Sequence, residues 1–172
     1  MINFRRILSS ESMRFELHTT LEPESPPEDF DPEDGRNVER IREGVIAEMC
    51  ELLDAADGSI GNPNRLYRDL LNREKRAGTA IGDGIAIPHV RTLQARHFTM
   101  AFARSREGLP FLAIDGRPVH LFFAMVAPPH EDRTYLKVYR SLATCLLQPE
   151  TIDGFMQAES ANEAWTALDA FR

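Results

Sequence analysis

Polar and apolar positions alternate over residues 13–21, with Met13, Phe15 and Leu17 on one side, and this period of two predicts a strand. From Val38 the period lengthens. Ile41, Val45, Met49, Leu52, Leu53 and Ala56 recur at helical spacing, with Asn37 as the N-cap and Gly58 as the stop. Asn62-Pro63 opens a second helix, a cap followed by proline in the first turn. Leu66, Leu70 and Leu71 form its buried stripe, and it fades near Lys75. A glycine-rich passage then leads into a short strand, Ile85-Ala-Ile87. Residues 97–103 alternate, whereas residues 119–126 are nearly continuously apolar, as in a strand covered on both faces. Residues 107–118 between them read as a connection with at most one short extended piece. After Pro128-Pro129 comes a helix with Tyr135, Val138, Tyr139, Leu142, Leu146 and Leu147 on one face. Pro149 stops it and starts another short helix. Ser160-Ala-Asn-Glu163 is a capping-box pattern, and the helix it opens buries Trp165, Leu168 and Phe171. No repeats occur. The order of elements predicts an α/β fold, a mixed β-sheet flanked by α-helices in one sandwich domain over residues 1–172.

A chain of 172 residues hides on the order of 70% of its unfolded surface, so its core needs neither disulfides nor metals. No apolar run approaches the roughly 18 to 20 residues of a membrane span. The basic start, with Arg5 and Arg6, has too short an apolar stretch for a signal peptide. Cys50 and Cys145 sit far apart in apolar helical patterns and read as buried free thiols, at home in the cytoplasm. The net charge of −7 has one source. Residues 22–35 hold seven carboxylates, four prolines and one glycine, without a basic residue. The segment reads as a solvated loop, or as a docking arm for a basic partner. No concentrated basic run marks a nucleic-acid binder.

The chemistry concentrates in residues 72–92, Asn-Arg-Glu-Lys-Arg-Ala-Gly-Thr-Ala-Ile-Gly-Asp-Gly-Ile-Ala-Ile-Pro-His-Val-Arg-Thr. Gly82-Asp-Gly84 is no dinucleotide fingerprint, because the third glycine position is Ile87 and a strand follows where that motif opens a helix. The Lys-Ser/Thr pair of a phosphate-cradling loop is missing too. What remains is a presented histidine. Pro88 has a fixed φ and pushes Ile87 toward an extended conformation, so His89 leaves a stiff strand end. Arg73 and Arg91 flank it in sequence. Neutral imidazole is a nucleophile near pH 7, and guanidinium matches phosphoryl oxygens in geometry and charge. Phosphoryl transfer onto histidine and a structural histidine capping a turn are both compatible with this spacing. Five scattered histidines without matching acidic or cysteine spacing exclude a zinc site as the leading reading.

Arg73-Glu-Lys, Thr79 and Ile81-Gly-Asp-Gly-Ile-Ala-Ile-Pro-His89 together resemble the active-site signature of enzyme IIA of the bacterial phosphotransferase system, fructose/mannitol class. Glu107-Gly-Leu, Pro118-Val119, Ala127-Pro128 and the 136–147 helix extend the likeness over most of the chain; the first 37 residues fit poorly. The resemblance implies the sandwich fold of that class and a phosphocarrier. His89 would accept a phosphoryl group from HPr and pass it to a cysteine of an enzyme IIB component for sugar uptake. Arg73 would stabilise the phosphohistidine, and no metal or organic cofactor would take part.

One position departs from the resemblance. A second histidine, followed by Leu or Ile, usually begins the helix after the last strand, and here Tyr135-Leu136 stands there. Tyrosine donates a hydrogen bond but carries no positive charge at pH 7. His130 is a second candidate, reaching in from the loop. His120 reads as a core or sheet-face residue, and His18 and His97 have no partner pattern. Two functions follow: a phosphocarrier in sugar uptake, or a regulatory relative of the nitrogen type whose phosphorylation state controls binding to a target protein. Neither requires nucleic acid or membrane insertion.

Overall fold

The computed structural model describes residues 2–169. Its elements run β1 (Met13–Arg14), α1 (Gly35–Ala55), α2 (Pro63–Arg76), β2 (Ala80–Gly82), β3 (Ile85–Ala86), β4 (His89–Arg91), β5 (Thr99–Leu109), β6 (Val119–Ala127), α3 (Asp132–Leu146), α4 (Pro149–Gln157) and α5 (Ala161–Asp169). Two short 3₁₀ turns precede β1. The strands form one mixed sheet in the order β1-β5-β6-β3-β2, with β4 also on β6. β5 and β6 pair antiparallel, whereas β1 runs parallel to β5, and β3 and β4 run parallel to β6.

β6 is the centre, and its alternation divides the core. Leu121, Phe123, Met125 and Ala127 pack with α3, α4 and α5 on one face. Phe122, Ala124 and Val126 pack with α1 and α2 on the other. A strand covered on both faces has no polar side, which is why residues 119–126 read as continuously apolar. The mixed α/β architecture with helices on both faces is therefore the one that the sequence pattern predicts.

Several local readings change. Only two residues of the 13–21 stretch form a strand. Beyond Arg14 one bond to β5 remains, the Leu17 amide on the Arg104 carbonyl at 2.7 Å. The next amides, of His18 and Thr19, turn to the Glu48 carboxylate on α1 at 3.0 and 2.6 Å, which ends the ladder. Asn37 lies inside α1, and Asp34 is its N-cap, accepting the Arg36 amide at 2.9 Å. Asn37 instead binds the carbonyls of Leu21 and Pro32. β5 starts at Thr99 and continues to Leu109 through Arg104-Ser-Arg-Glu, a polar run that hides strand character. Arg104 is buried there because Phe155, Met156 and Ala158 carbonyls all accept from it. Leu147 is 74% exposed at the end of α3, outside the buried stripe. Phe171 lies outside the described residues. Asn62 caps α2 as predicted, accepting the Arg65 amide at 3.1 Å. Both cysteines are buried, and no disulfide joins them. No helix among the described residues is long and apolar enough to cross a membrane.

Candidate functional site

The passage between α2 and β4 is folded back on itself. Gly82, Asp83 and Gly84 all take positive φ at the tip of the β2–β3 hairpin, where glycine meets no Cβ penalty. The Asp83 amide is held by the Asp115 carboxylate at 2.9 Å, and the Gly84 carbonyl accepts the His120 and Leu121 amides. The hairpin returns the chain so that the Ile87 amide meets the Thr79 carbonyl at 3.0 Å. Pro88 follows, its carbonyl accepting the Met125 amide at 2.9 Å. His89 therefore starts β4 in register with Met125 on the central strand, a rigid mounting for its ring.

The half-buried His89 imidazole has a defined partner at each nitrogen. Nδ1 lies 2.6 Å from the Ile87 carbonyl oxygen, and Nε2 lies 3.2 Å from the Arg73 guanidinium. A carbonyl only accepts and a guanidinium only donates, so the ring carries its hydrogen on Nδ1 and a lone pair on Nε2. Burial, above all, lowers the His89 pKa below the ordinary 6.5. The bond to Ile87 opposes this and the Arg73 charge reinforces it. The ring is neutral at pH 7 and nucleophilic at one atom.

Arg73 sits in the last turn of α2, where its guanidinium also donates to the Ala77 carbonyl at 2.6 Å. Tyr135, in the first turn of α3, places its ring 5.9 Å from the His89 ring, centroid to centroid. Burial pushes its hydroxyl up to about 12, with Arg73 and Arg91 pulling the other way, so it stays a neutral phenol. No hydrogen bond joins that hydroxyl to the imidazole. Tyr139, one helical turn on, presents an edge to His89 at 5.4 Å, a contact that its position on the core stripe of α3 did not reveal.

These groups open on a cleft of about 670 Å³ lined by Arg73, Arg76, His89, Val90, Arg91, Pro129, Asp132, Tyr135 and Leu136. Arg91 lines it with its guanidinium paired to the Asp132 carboxylate at the start of α3. Arg76 is a further cation of the cleft, missed in the sequence because it is one of several basic residues ending α2. His130 is exposed and outside the lining. His120 lies on the sheet, its Nδ1 3.0 Å from the Ser105 carbonyl. His97 is at the surface with Asp57 at 2.8 Å. Among the described residues no three His, Cys, Asp or Glu side chains converge to hold a metal.

Residues 37–170 match the family described as phosphoenolpyruvate-dependent sugar phosphotransferase system, EIIA 2. The chain is 37% identical over 125 residues to the fructose-specific EIIABC component of Bacillus subtilis; the match covers 72% of this chain and 20% of that much longer protein. It is 34% identical over 119 residues to the fructose-specific EIIA component of Haloferax volcanii, covering 69% of this chain and 77% of that one. Among solved structures it resembles nitrogen regulatory protein IIA-Ntr from Neisseria meningitidis, with a TM-score of 0.75 and 27% identity. That likeness covers 96% of this chain and 98% of the other.

Proposed function

This chain belongs to the EIIA 2 family of the phosphoenolpyruvate-dependent sugar phosphotransferase system, and we propose that it is a phosphocarrier whose acceptor atom is His89 Nε2. One observation carries the reading: Nδ1 is committed to the Ile87 carbonyl, while the Nε2 lone pair faces the cleft beside Arg73. The Nε2 lone pair attacks the phosphorus of phosphorylated HPr. The donor's P–N bond breaks as the Nε2–P bond forms, and the donor imidazole leaves with the bonding pair. His89 loses no proton, because Nδ1 keeps its hydrogen on the Ile87 carbonyl, which stabilises the positive charge growing on the ring. Arg73, already within reach of Nε2, pairs with the phosphoryl oxygens. In the onward step a cysteine thiolate of enzyme IIB attacks the phosphorus, and His89 leaves as neutral imidazole, feeding sugar uptake. The fructose-specific Bacillus relative, whose name joins A, B and C components, supports a IIA that works beside a IIB component. The scheme calls for no metal or organic cofactor.

Two observations favour a second reading in which the phosphorylated state regulates a target protein. Tyr135 stands in place of a second histidine, and the likeness to the Neisseria nitrogen regulatory protein extends over nearly the whole chain. His89 chemistry is common to both. Incubation with phosphoenolpyruvate, enzyme I and HPr is expected to add one acid-labile phosphate per chain, absent in His89→Ala. An unlabelled wild type, or label on another residue, overturns the proposal. Loss of the label to an added IIB cysteine then selects transport, and a label that stays put selects regulation.

A further inference from the structure

The two ring nitrogens of His89 are governed by two adjacent residues of α2. Arg73 donates to Nε2 directly at 3.2 Å. Glu74 reaches Nδ1 by a longer route. Its carboxylate, on a residue 1% exposed, accepts the Thr79 amide at 3.0 Å and the Thr79 hydroxyl as well. The Thr79 carbonyl accepts the Ile87 amide at 3.0 Å, and the Ile87 carbonyl accepts Nδ1–H of His89 at 2.6 Å. Each link joins the next through a single residue, so the line from carboxylate to imidazole is unbroken.

We propose that Glu74 is a positioning residue for phosphoryl transfer, clamping Thr79 and through it Ile87 so that His89 is held in the tautomer with its lone pair on Nε2. The proposal rests on the phosphocarrier reading of His89. A buried carboxylate is costly unless it is fully bonded, and it does little for stability compared with an apolar side chain. Here its charge is met by two Thr79 donors and by the buried Arg42, whose guanidinium lies 4.0 Å from the carboxylate and 2.9 Å from the Glu74 carbonyl. Ending α2 demands far less, since Ala77 already leaves the helix in an extended conformation with its amide on the Arg73 carbonyl. What the clamp adds is a fixed spacing between the end of α2 and the returning strand. Slack there lets the Ile87 peptide turn away from Nδ1. The proton can then move to Nε2, where it occupies the attacking lone pair and points at a guanidinium that cannot accept it.

The test is nitrogen NMR of protein labelled with ¹⁵N-histidine, read alongside transfer kinetics from phospho-HPr. In the wild type His89 is expected to show a protonated Nδ1 and an unprotonated Nε2. Glu74→Ala is expected to show mixed tautomers and a transfer rate constant about 10-fold lower, with KM for phospho-HPr within about 2-fold. Glu74→Gln still accepts from Thr79 and is expected to recover most of both signals. Thr79→Val keeps both backbone bridges, loses only the hydroxyl, and falls between. Wild-type nitrogen shifts and rates in folded Glu74→Ala overturn the proposal. If Glu74→Ala does not fold, an unaltered tautomer and rate in Thr79→Val overturn it instead. The NMR arm needs no phosphoryl donor, so a wild type that is never labelled removes the phosphocarrier reading separately. A labelled wild type with indifferent Glu74 variants removes only this one.

Discussion

Tyr135 gives His89 an aromatic wall. Burial keeps its hydroxyl protonated far above neutral pH, so α3 would offer the phosphoryl group a phenol and no imidazolium. A charge-assisted hydrogen bond is worth roughly 1.5 to 3 kcal/mol, or about one to two decades in rate. Tyr135→His is therefore expected to speed single-turnover transfer about 10-fold. An unchanged or slower rate overturns the reading that a cation is missing at Tyr135. His130→Ala should leave the rate alone, because that side chain is exposed outside the cleft lining. The His89 titration makes a separate prediction. Its folded pKa lies below the ordinary 6.5, so between those two values the unfolded chain binds more protons than the folded one. Stability should consequently be complete above pH 6.5 and decline as pH falls through the folded pKa. The ring should also stay nucleophilic below the pH at which free imidazole protonates. An NMR titration of the His89 ring with a midpoint above 6.5 contradicts both statements.

Glu48 shows how one side chain redirects an element. It accepts from the amides of His18 and Thr19, the Thr19 hydroxyl and the Arg14 guanidinium, four donors gathered onto α1. Desolvation works against its charge, yet these bonds outweigh it and hold the carboxyl below its ordinary pKa. Glu48→Ala leaves four half-buried donors without their carboxylate and is expected to cost about 3 kcal/mol in chemical denaturation. A loss within about 0.5 kcal/mol, the range of an ordinary surface change, shows that the strap is replaceable. This contact also explains what the sequence hides. Alternation over residues 13–21 is real, but a distant carboxylate competes for the backbone groups that a strand would use, and spacing cannot show such a competitor. Arg104 misleads in the same way, since three carbonyls of the α4 end make a buried arginine affordable. The helices and β6 were legible because their faces are decided by burial, which periodicity encodes directly. At the site, the motif brought forward Arg73, His89 and Tyr135. Tyr139 and Arg76 join them only through the packing of α2 and α3 on β4.

For the molecule as a whole, the family match begins at residue 37, yet the core does not. Phe4, Leu8, Met13 and Leu17 are all buried, and the Neisseria likeness covers 96% of the chain. The leading residues thus belong to the folded body, and the acidic segment is an excursion between two parts of it. Residues 22–33 form neither helix nor strand and are mostly exposed. They are fastened at their ends, by Asn37 and Arg40 on the Leu21 and Pro32 carbonyls and by Asp34 capping α1. Replacing residues 23–31 with a short Gly-Ser linker removes Glu24, Glu28, Asp29 and Asp31, taking the net charge from −7 to −3, and leaves all those fastenings in place. Loop-closure entropy changes slowly with length, so the unfolding free energy is expected to move by about 0.5 kcal/mol or less. The rate constant for phosphoryl transfer should be unchanged as well, because none of the excised residues lines the His89 cleft. What should change is the ionic-strength dependence of encounter with a charged partner, since the excised carboxylates contribute to the long-range field. Denaturation and stopped-flow transfer at 0.05 and 0.3 M salt, about threefold apart in screening length at most, separate these outcomes. A large loss of stability means that the segment supports the core; a changed rate constant at saturating donor means that it reaches the site.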